Sequence, residues 1–165
     1  MKSHKSKMPI YGYRLAKRAD AAEIFGVLEG VAPEIPMRLD TSDRKELLFK
    51  RIRLACVYRT VFIAELHRDN QIVGFLMAEP LGRELDLSYG GVRVGHRGQH
   101  IFPKLVKKMM AKGVPLTATV KHLNKSGTVD RLLKLGFTKV ESLVDGQDNF
   151  RWQPGPTDIQ GGGLS

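Results

Sequence analysis

Two spacings of apolar residues alternate along the chain and divide it into helices and strands. The stretch YRLAKRAD reads as a short strand followed by a cap, with Asp20 placed to begin a helix. Ala21, Ile24, Phe25 and Leu28 then recur at helical spacing. Pro33 and Pro36 break that helix, and DTSDRKELLFKRIRLACVYR starts another. Asp40, Thr41 or Ser42 can cap it, and Leu48, Ile52, Ala55 and Cys56 form its apolar face. TVFIAELHRDNQIVGFLMAEPL holds two apolar runs around the turn residues Asp69 and Asn70, which predicts a β-hairpin. Ile72 to Ala78 is apolar almost throughout, the mark of a central strand covered on both faces. RELDLSYGGVRV alternates, with Leu85, Leu87 and Tyr89 pointing one way and Glu84, Asp86 and Ser88 the other.

A third helix carries Ile101, Leu105 and Met109 on one stripe, with Phe102, Val106 and Met110 beside them and Pro103 in its first turn. PLTATVKH is a further strand, NKSGTVDRLLKLGF a short helix closed by Gly136, and TKVESLV with FRWQP a hairpin around DGQDN. The order β-α-α-β-β-β-α-β-α-β-β predicts an α/β (α+β) domain with a mixed, mostly antiparallel sheet of about seven strands flanked by about four helices. The domain is expected over residues 11–153. Residues 1–10 form a basic, flexible arm, and residues 154–165 lack apolar anchors and are expected to be disordered.

Composition narrows the class. Hydrophobic residues make up 42% and charged residues 27% of the 165, which fits a globular protein and argues against global disorder. No apolar run reaches spanning length, so no membrane partner is expected, and no apolar segment of a secretory signal follows MKSHKSK. Cys56 is the only cysteine, which rules out an internal disulfide or a cysteine-built zinc site and fits a reducing cytoplasm.

Charge adds a question. Against 17 acidic residues stand 27 Lys and Arg, a net charge of +10. An anionic partner follows, whether nucleic acid, an acidic protein face or a phosphate-bearing cofactor. Basic clusters fall at Lys2–Lys7, Arg44–Arg53 and Lys104–Lys112, and the plain reading of the first two is a solvated surface. Only 7% of residues are aromatic, and no zinc knuckle or helix-turn-helix is evident, so nucleic-acid binding ranks below the other readings.

The segment YGGVRVGHRGQHIFPKLVKKMM, from Tyr89 to Met110, runs from a strand through a basic, glycine-rich loop into an amphipathic helix. That order aims backbone N–H groups and a helix N-terminus at one point, which suits a phosphate. Together with the following strand and NKSGTVDRLLKLGF, it resembles the GNAT superfamily of N-acetyltransferases. The family's pyrophosphate loop reads Gln/Arg-x-x-Gly-x-Gly/Ala. Here Arg97-Gly98-Gln99-His100-Ile101-Phe102 keeps the arginine but places His100 and Phe102 at the small positions. Asn124, Gly136 and Phe137 match the Asn-led helix that ends in Gly-Phe.

The resemblance implies an acetyl-CoA-dependent N-acetyltransferase that needs no metal. The backbone of Arg97, Gly98, Gln99, His100, Ile101 and Phe102 would bind the pyrophosphate. Val92 and Val94 would pair with the pantetheine arm as a strand does. Asn124 would contact that arm or cap the next helix, while Lys125 and Arg131 would reach the outer phosphates or remain solvated. His100 either bonds a phosphate or packs on the loop surface, and His96 is expected to face solvent.

Attack on a thioester needs a neutral amine, and a free alkyl amine is largely protonated at neutral pH, so a carboxylate base is expected. Asp86, eleven positions before Arg97 and on the strand face opposite Leu85 and Leu87, stands by the resemblance where several family members place a glutamate base, with Glu84 in reserve and Glu79 third; Asp86 and Glu84 are otherwise ordinary solvent-side strand residues. Leu132 stands where many family members place a tyrosine acid, and Ser126 or Tyr89 are possible substitutes. The partners implied are acetyl-CoA and an amine acceptor, with Glu34, Asp40, Asp43 and Glu46 available to meet a cationic group. A homodimer is compatible with the family. The competing readings are a coenzyme A-binding protein with little catalysis and a basic nucleic-acid-binding protein on the same fold.

Overall fold

The computed structural model describes residues 10–35, 37–124 and 126–155. Residues 1–9 of the basic arm, the C-terminal tail from residue 156, Pro36 and Lys125 lie outside the described residues. The elements follow the expected order. Strand β1 (Tyr11–Leu15) leads to α1 (Ala21–Val31) and α2 (Ser42–Val57), then to β2 (Val61–Leu66), β3 (Ile72–Leu81) and β4 (Glu84–Val92). Helix α3 (Ile101–Met110), β5 (Leu116–Lys121), α4 (Thr128–Lys134), β6 (Thr138–Val140) and β7 (Gln147–Trp152) complete the chain. The strands form one sheet in the order β1-β2-β3-β4-β5-β7-β6, antiparallel except where β4 meets β5. A parallel neighbour needs a crossover, which α3 supplies.

Two cores lie on opposite faces of the sheet. On one face, Ile24, Val27, Leu28, Leu48, Ile52 and Cys56 of α1 and α2 pack on Ile63, Phe75 and Met77. On the other, Leu105, Val106 and Met109 of α3 and Leu132 of α4 pack on Leu76, Leu116 and Phe150. Every residue from Ile72 to Ala78 is buried, as a strand covered on both faces requires. Burying each large side chain of such a strand contributes about 2 kcal/mol.

Three local expectations narrow or change. Asp20 stands at the N-cap of α1 but its side chain makes no cap bond; its carboxylate accepts from the Lys17 amide (2.7 Å) and binds Arg14 (2.8 Å) in the tight turn before the helix. Of the three candidates for α2, Thr41 is the cap, and its hydroxyl accepts from the Arg44 amide at 3.1 Å. The largest change is in β4. Its pairing with β3 passes from Met77↔Tyr89 to Ala78↔Leu87, so Ser88 is an extra, bulged residue. A bulge reverses the alternation beyond it. Leu85 and Leu87 therefore join the core beneath α3, while Tyr89 packs with the α1–α2 core instead of sharing their face.

Past the bulge, β4 continues through Gly90 and Gly91. A Cβ on Gly91 would stand 2.7 Å from Val31 Cγ2, closer than atoms tolerate. Glycine there lets α1 lie tightly against the end of the strand that carries the site.

Candidate active site

Strands β4 and β5 pair only at Leu85↔Leu116, Asp86↔Thr117 and Leu87↔Ala118. Beyond those pairs β4 runs on to Val92 and β5 to Lys121, and the strands part. From Ser88 to Val92 the edge of β4 that faces β5 has no strand partner. A cavity of about 360 Å3 occupies the parting. Arg51, Asp86 and Tyr89 line it from the α1–α2 side, and Ala118, Val120 and Leu132 from the α3–α4 side, so it passes through the sheet. A second cavity, about 390 Å3, runs along Gly90–Val92 and the loop before α3 to Ser126 and Arg131 of the α4 region. The two share Ile35, Gly90, Phe102 and Thr128 in their walls and so meet end to end.

The loop end is built from main chain. Gly98 (φ +79°) and His100 (φ 60°) both take the left-handed conformation, which turns the chain into α3. Among the described residues, no protein group accepts from the N–H groups of Gly98, Gln99, His100, Ile101 and Phe102. Those amides, with the positive end of the α3 dipole, suit a phosphate. The sequence permits this because the Ile101 side chain is drawn into the core (2% exposed) while its backbone stays at the loop. His100 is exposed and lines the cavity wall, as does the half-buried ring of Phe102.

Charged side chains surround these amides. Arg97 bonds the Val92 carbonyl (3.0 Å) and pairs with Glu34 (2.9 Å). Arg131 donates to the Ser126 carbonyl at 2.8 Å, and Lys134 joins the wall. Asn124 does not simply cap the next helix: its Oδ1 accepts from the Ser126 amide (2.8 Å) and hydroxyl (2.5 Å), and that hydroxyl lies 2.6 Å from Thr128 Oγ1. Two expectations fail here. Val94 is not on the strand; β4 ends at Val92, and Val94 sits in a tight turn, 70% exposed, outside both cavities. His96 does not simply face solvent; its Nδ1 lies 2.9 Å from the Tyr11 hydroxyl, and it lines the second cavity.

The other end is built from side chains. Asp86 lines the cavity at the point where the strands separate, and Thr117 Oγ1 donates to its Oδ1 at 2.8 Å. Burial raises its proton affinity above that of an ordinary carboxylate, and the hydrogen bond from Thr117 opposes the rise. The negative charge of Glu79, directly across the β3–β4 ladder, adds to it, and Arg51 subtracts. Glu79 is the opposite case. Its carboxylate is gripped by two guanidinium nitrogens of Arg51 and accepts from Ser88 Oγ (2.7 Å), and the Arg51 bonds hold it below the usual range. Arg51 also donates to the Tyr89 hydroxyl (3.2 Å).

The remaining candidates fall elsewhere. Glu84 pairs with Arg151 (2.5 Å) and lines neither cavity. Ser126 lies in the wall of the second cavity, away from Asp86's end of the passage. Asp40 pairs with Arg38 and Arg44, and Glu46 with Lys50. Cys56 is buried, and burial pushes its thiol up to about 11, so it is no nucleophile at neutral pH. Leu132, at the place of the expected tyrosine, is a core residue that also lines the passage. Sequence reasoning missed Arg51, hidden in a basic helix, and Thr117, one of the two threonines of β5.

No family model matches the sequence, and no curated protein matches it. Solved structures match its shape. YncA of Salmonella typhimurium, with its cofactor acetyl-CoA, superposes at a TM-score of 0.69 with 13% identity over 88% of this chain and 95% of its own. The PaiA N-acetyltransferase of Thermoplasma acidophilum with coenzyme A gives 0.66 and 16% over 87% and 99%. The diaminobutyrate acetyltransferase EctA of Paenibacillus lautus, with its substrate and coenzyme A, gives 0.65 and 18% over 89% and 96%. The chain has the GNAT fold.

Proposed function

We propose that the protein is an acetyl-CoA-dependent N-acetyltransferase acting on a primary amine by direct attack. The observation that carries this reading is the parting of β4 from β5, with unpartnered amides at one end of the passage and Asp86 at the other. The GNAT fold, and the coenzyme A complexes of proteins that share it, support the same reading.

The residues fit coenzyme A at both ends. The amides of Gly98 to Phe102 would hold the pyrophosphate, with Arg97 and Arg131 beside it. The unpaired edge of β4 up to Val92 would take the amide-rich pantetheine arm as a neighbouring strand. Acetyl-CoA supplies an acyl group already activated as a thioester. Asp86 would take the proton from the incoming ammonium, directly or through water, and its raised proton affinity suits that task near neutral pH. Thr117 fixes the carboxylate's orientation. The N–C bond forms as the C–S bond breaks, the nitrogen sheds its second proton to solvent as it becomes an amide, and with Leu132 offering no proton the departing thiolate takes one from solvent.

Calorimetry with coenzyme A and a thiol-release assay over a panel of amines test the proposal. Saturable binding together with acceptor-dependent thiol release supports it. Absence of binding at millimolar coenzyme A overturns it. Leu132 motivates a second reading, a coenzyme A-binding protein with little turnover: binding without release by any amine would favour that one.

A further inference from the structure

Much of the positive charge has no part in the passage. Helix α3 and the turn after it carry Lys104, Lys107, Lys108 and Lys112, and no acid occurs from Ile101 to Val114. Lys104, Lys108 and Lys112 recur every four residues and so form one stripe, with a rise of roughly 6 Å between neighbours. The ends of the stripe are fixed by rings of the two outermost strands on that side. The Lys104 ammonium stands 5.6 Å from the centre of the Tyr13 ring on β1, and that of Lys112 5.7 Å from the Phe62 ring on β2. Among the described residues, none of these four lysines, nor Arg59, takes part in a salt bridge. The acids of β1's neighbourhood are spent elsewhere: Glu65 and Asp20 both bind Arg14. Partial burial of Lys112 lowers its affinity for a proton, and the nearby charge of Arg59 adds to this, which places Arg59 beside the end of the stripe.

We propose that this face, the lysine stripe of α3 with Arg59, binds the phosphate backbone of nucleic acid without reading its sequence. Its chemistry is that of a backbone binder. Lysine acts as a point charge toward phosphate and offers no planar fork for a base edge. The two rings lie beneath the lysines, Tyr13 half-buried and Phe62 buried, so they brace the ammonium groups and offer no open platform for stacking bases. A membrane surface is disfavoured, because no large apolar side chain of α3 is exposed to enter it. The inference does not depend on acetyl transfer, although the face and the coenzyme A loop lie on the same helix.

The test is fluorescence anisotropy with a labelled single-stranded RNA and a labelled DNA duplex over a salt series. With four or five phosphate contacts, log affinity should fall linearly with log salt, with a slope of about −3 for the strand and about −4 for the duplex. Between about 50 and 200 mM salt the wild type should therefore weaken roughly 60-fold on RNA, and the triple variant K104Q/K108Q/K112Q only about 4-fold. Lys50→Gln on α2, which covers the opposite face, should keep the wild-type slope. An unchanged melting temperature of the triple variant separates lost contacts from lost fold. The proposal is overturned by no binding to either probe at about 50 mM salt, by a slope the triple variant leaves unchanged, or by displacement of the RNA with millimolar coenzyme A, which would place it in the loop. Tighter binding to phosphatidylserine vesicles than to either nucleic acid would overturn it too.

Discussion

Around the loop before α3, the groups that face the cavity are main-chain amides, and the side chains that vary there, His100 and Phe102, stand at its walls. At the parting of β4 and β5 the groups are polar and charged side chains, and each depends on its neighbour: Thr117 on Asp86, Arg51 on Glu79 and Tyr89. Main-chain donors survive substitution of the residue that carries them. A side-chain network does not. This is why the loop can lose its small residues without losing its donors, while one change at the acceptor end should be felt throughout that cluster.

The largest expected effect is at Asp86. Asp86→Asn should lower kcat/KM by about 100-fold or more while leaving coenzyme A affinity within about threefold, because it removes the base and touches no loop amide. Stability should move the other way. The folded protein binds a proton at Asp86 more tightly than the unfolded chain does, so the stability this group contributes is present at low pH and is lost as pH rises through its folded pKa. At neutral pH the variant should therefore melt higher than the wild type, and the gap should close toward about pH 4. Full activity of Asp86→Asn would break the contrast between the two ends outright.

Arg51→Met comes next. It leaves the Glu79 charge unpaired beside Asp86, which should raise the proton affinity of both carboxylates. The acid limb of the pH–rate profile should move to higher pH, turnover at neutral pH should fall about tenfold, and stability should drop by about 1–3 kcal/mol. Thr117→Val should move the acid limb in the same direction by at least as large a step, since the Thr117 hydrogen bond opposes the rise more than the Arg51 charge does, but it should cost less stability because it leaves no charge unpaired. A limb that stays fixed in both variants would mean that Asp86 is not the titrating group.

The contrast also explains what the sequence disclosed. Element order, both cores and the loop were legible, because helical and strand periods and a glycine-rich bend are local patterns. The buried run from Ile72 to Ala78 needed no partner to be recognised. The acceptor end was only half legible. Asp86 stood out by position, but Ser88 carries no local mark of a bulge, since its extra place exists only in the register with Met77 and Ala78. Alternation alone therefore places Tyr89 on the wrong face. Arg51 joins Glu79 across 28 positions of sequence, and a helix rich in Lys and Arg gives no reason to single it out. Val94 alternated correctly with Val92, yet the strand ends first and the chain turns before α3.

The smallest effect is expected at His100, and it tests the loop directly. This residue holds φ 60°, ψ 28° at the start of α3, a conformation that costs a non-glycine residue about 1 kcal/mol. His100→Gly removes that strain and the imidazole together but keeps the N–H. His100→Ala removes the imidazole and keeps the strain. If the amides bind the phosphates, both variants should retain coenzyme A affinity within about threefold, and only the melting temperature should separate them, with Gly the higher by a degree or two, part of the gain being offset by its greater freedom when unfolded. If affinity falls tenfold or more in both, the imidazole carries the anion, and the loop end belongs with the acceptor end as a site made of side chains.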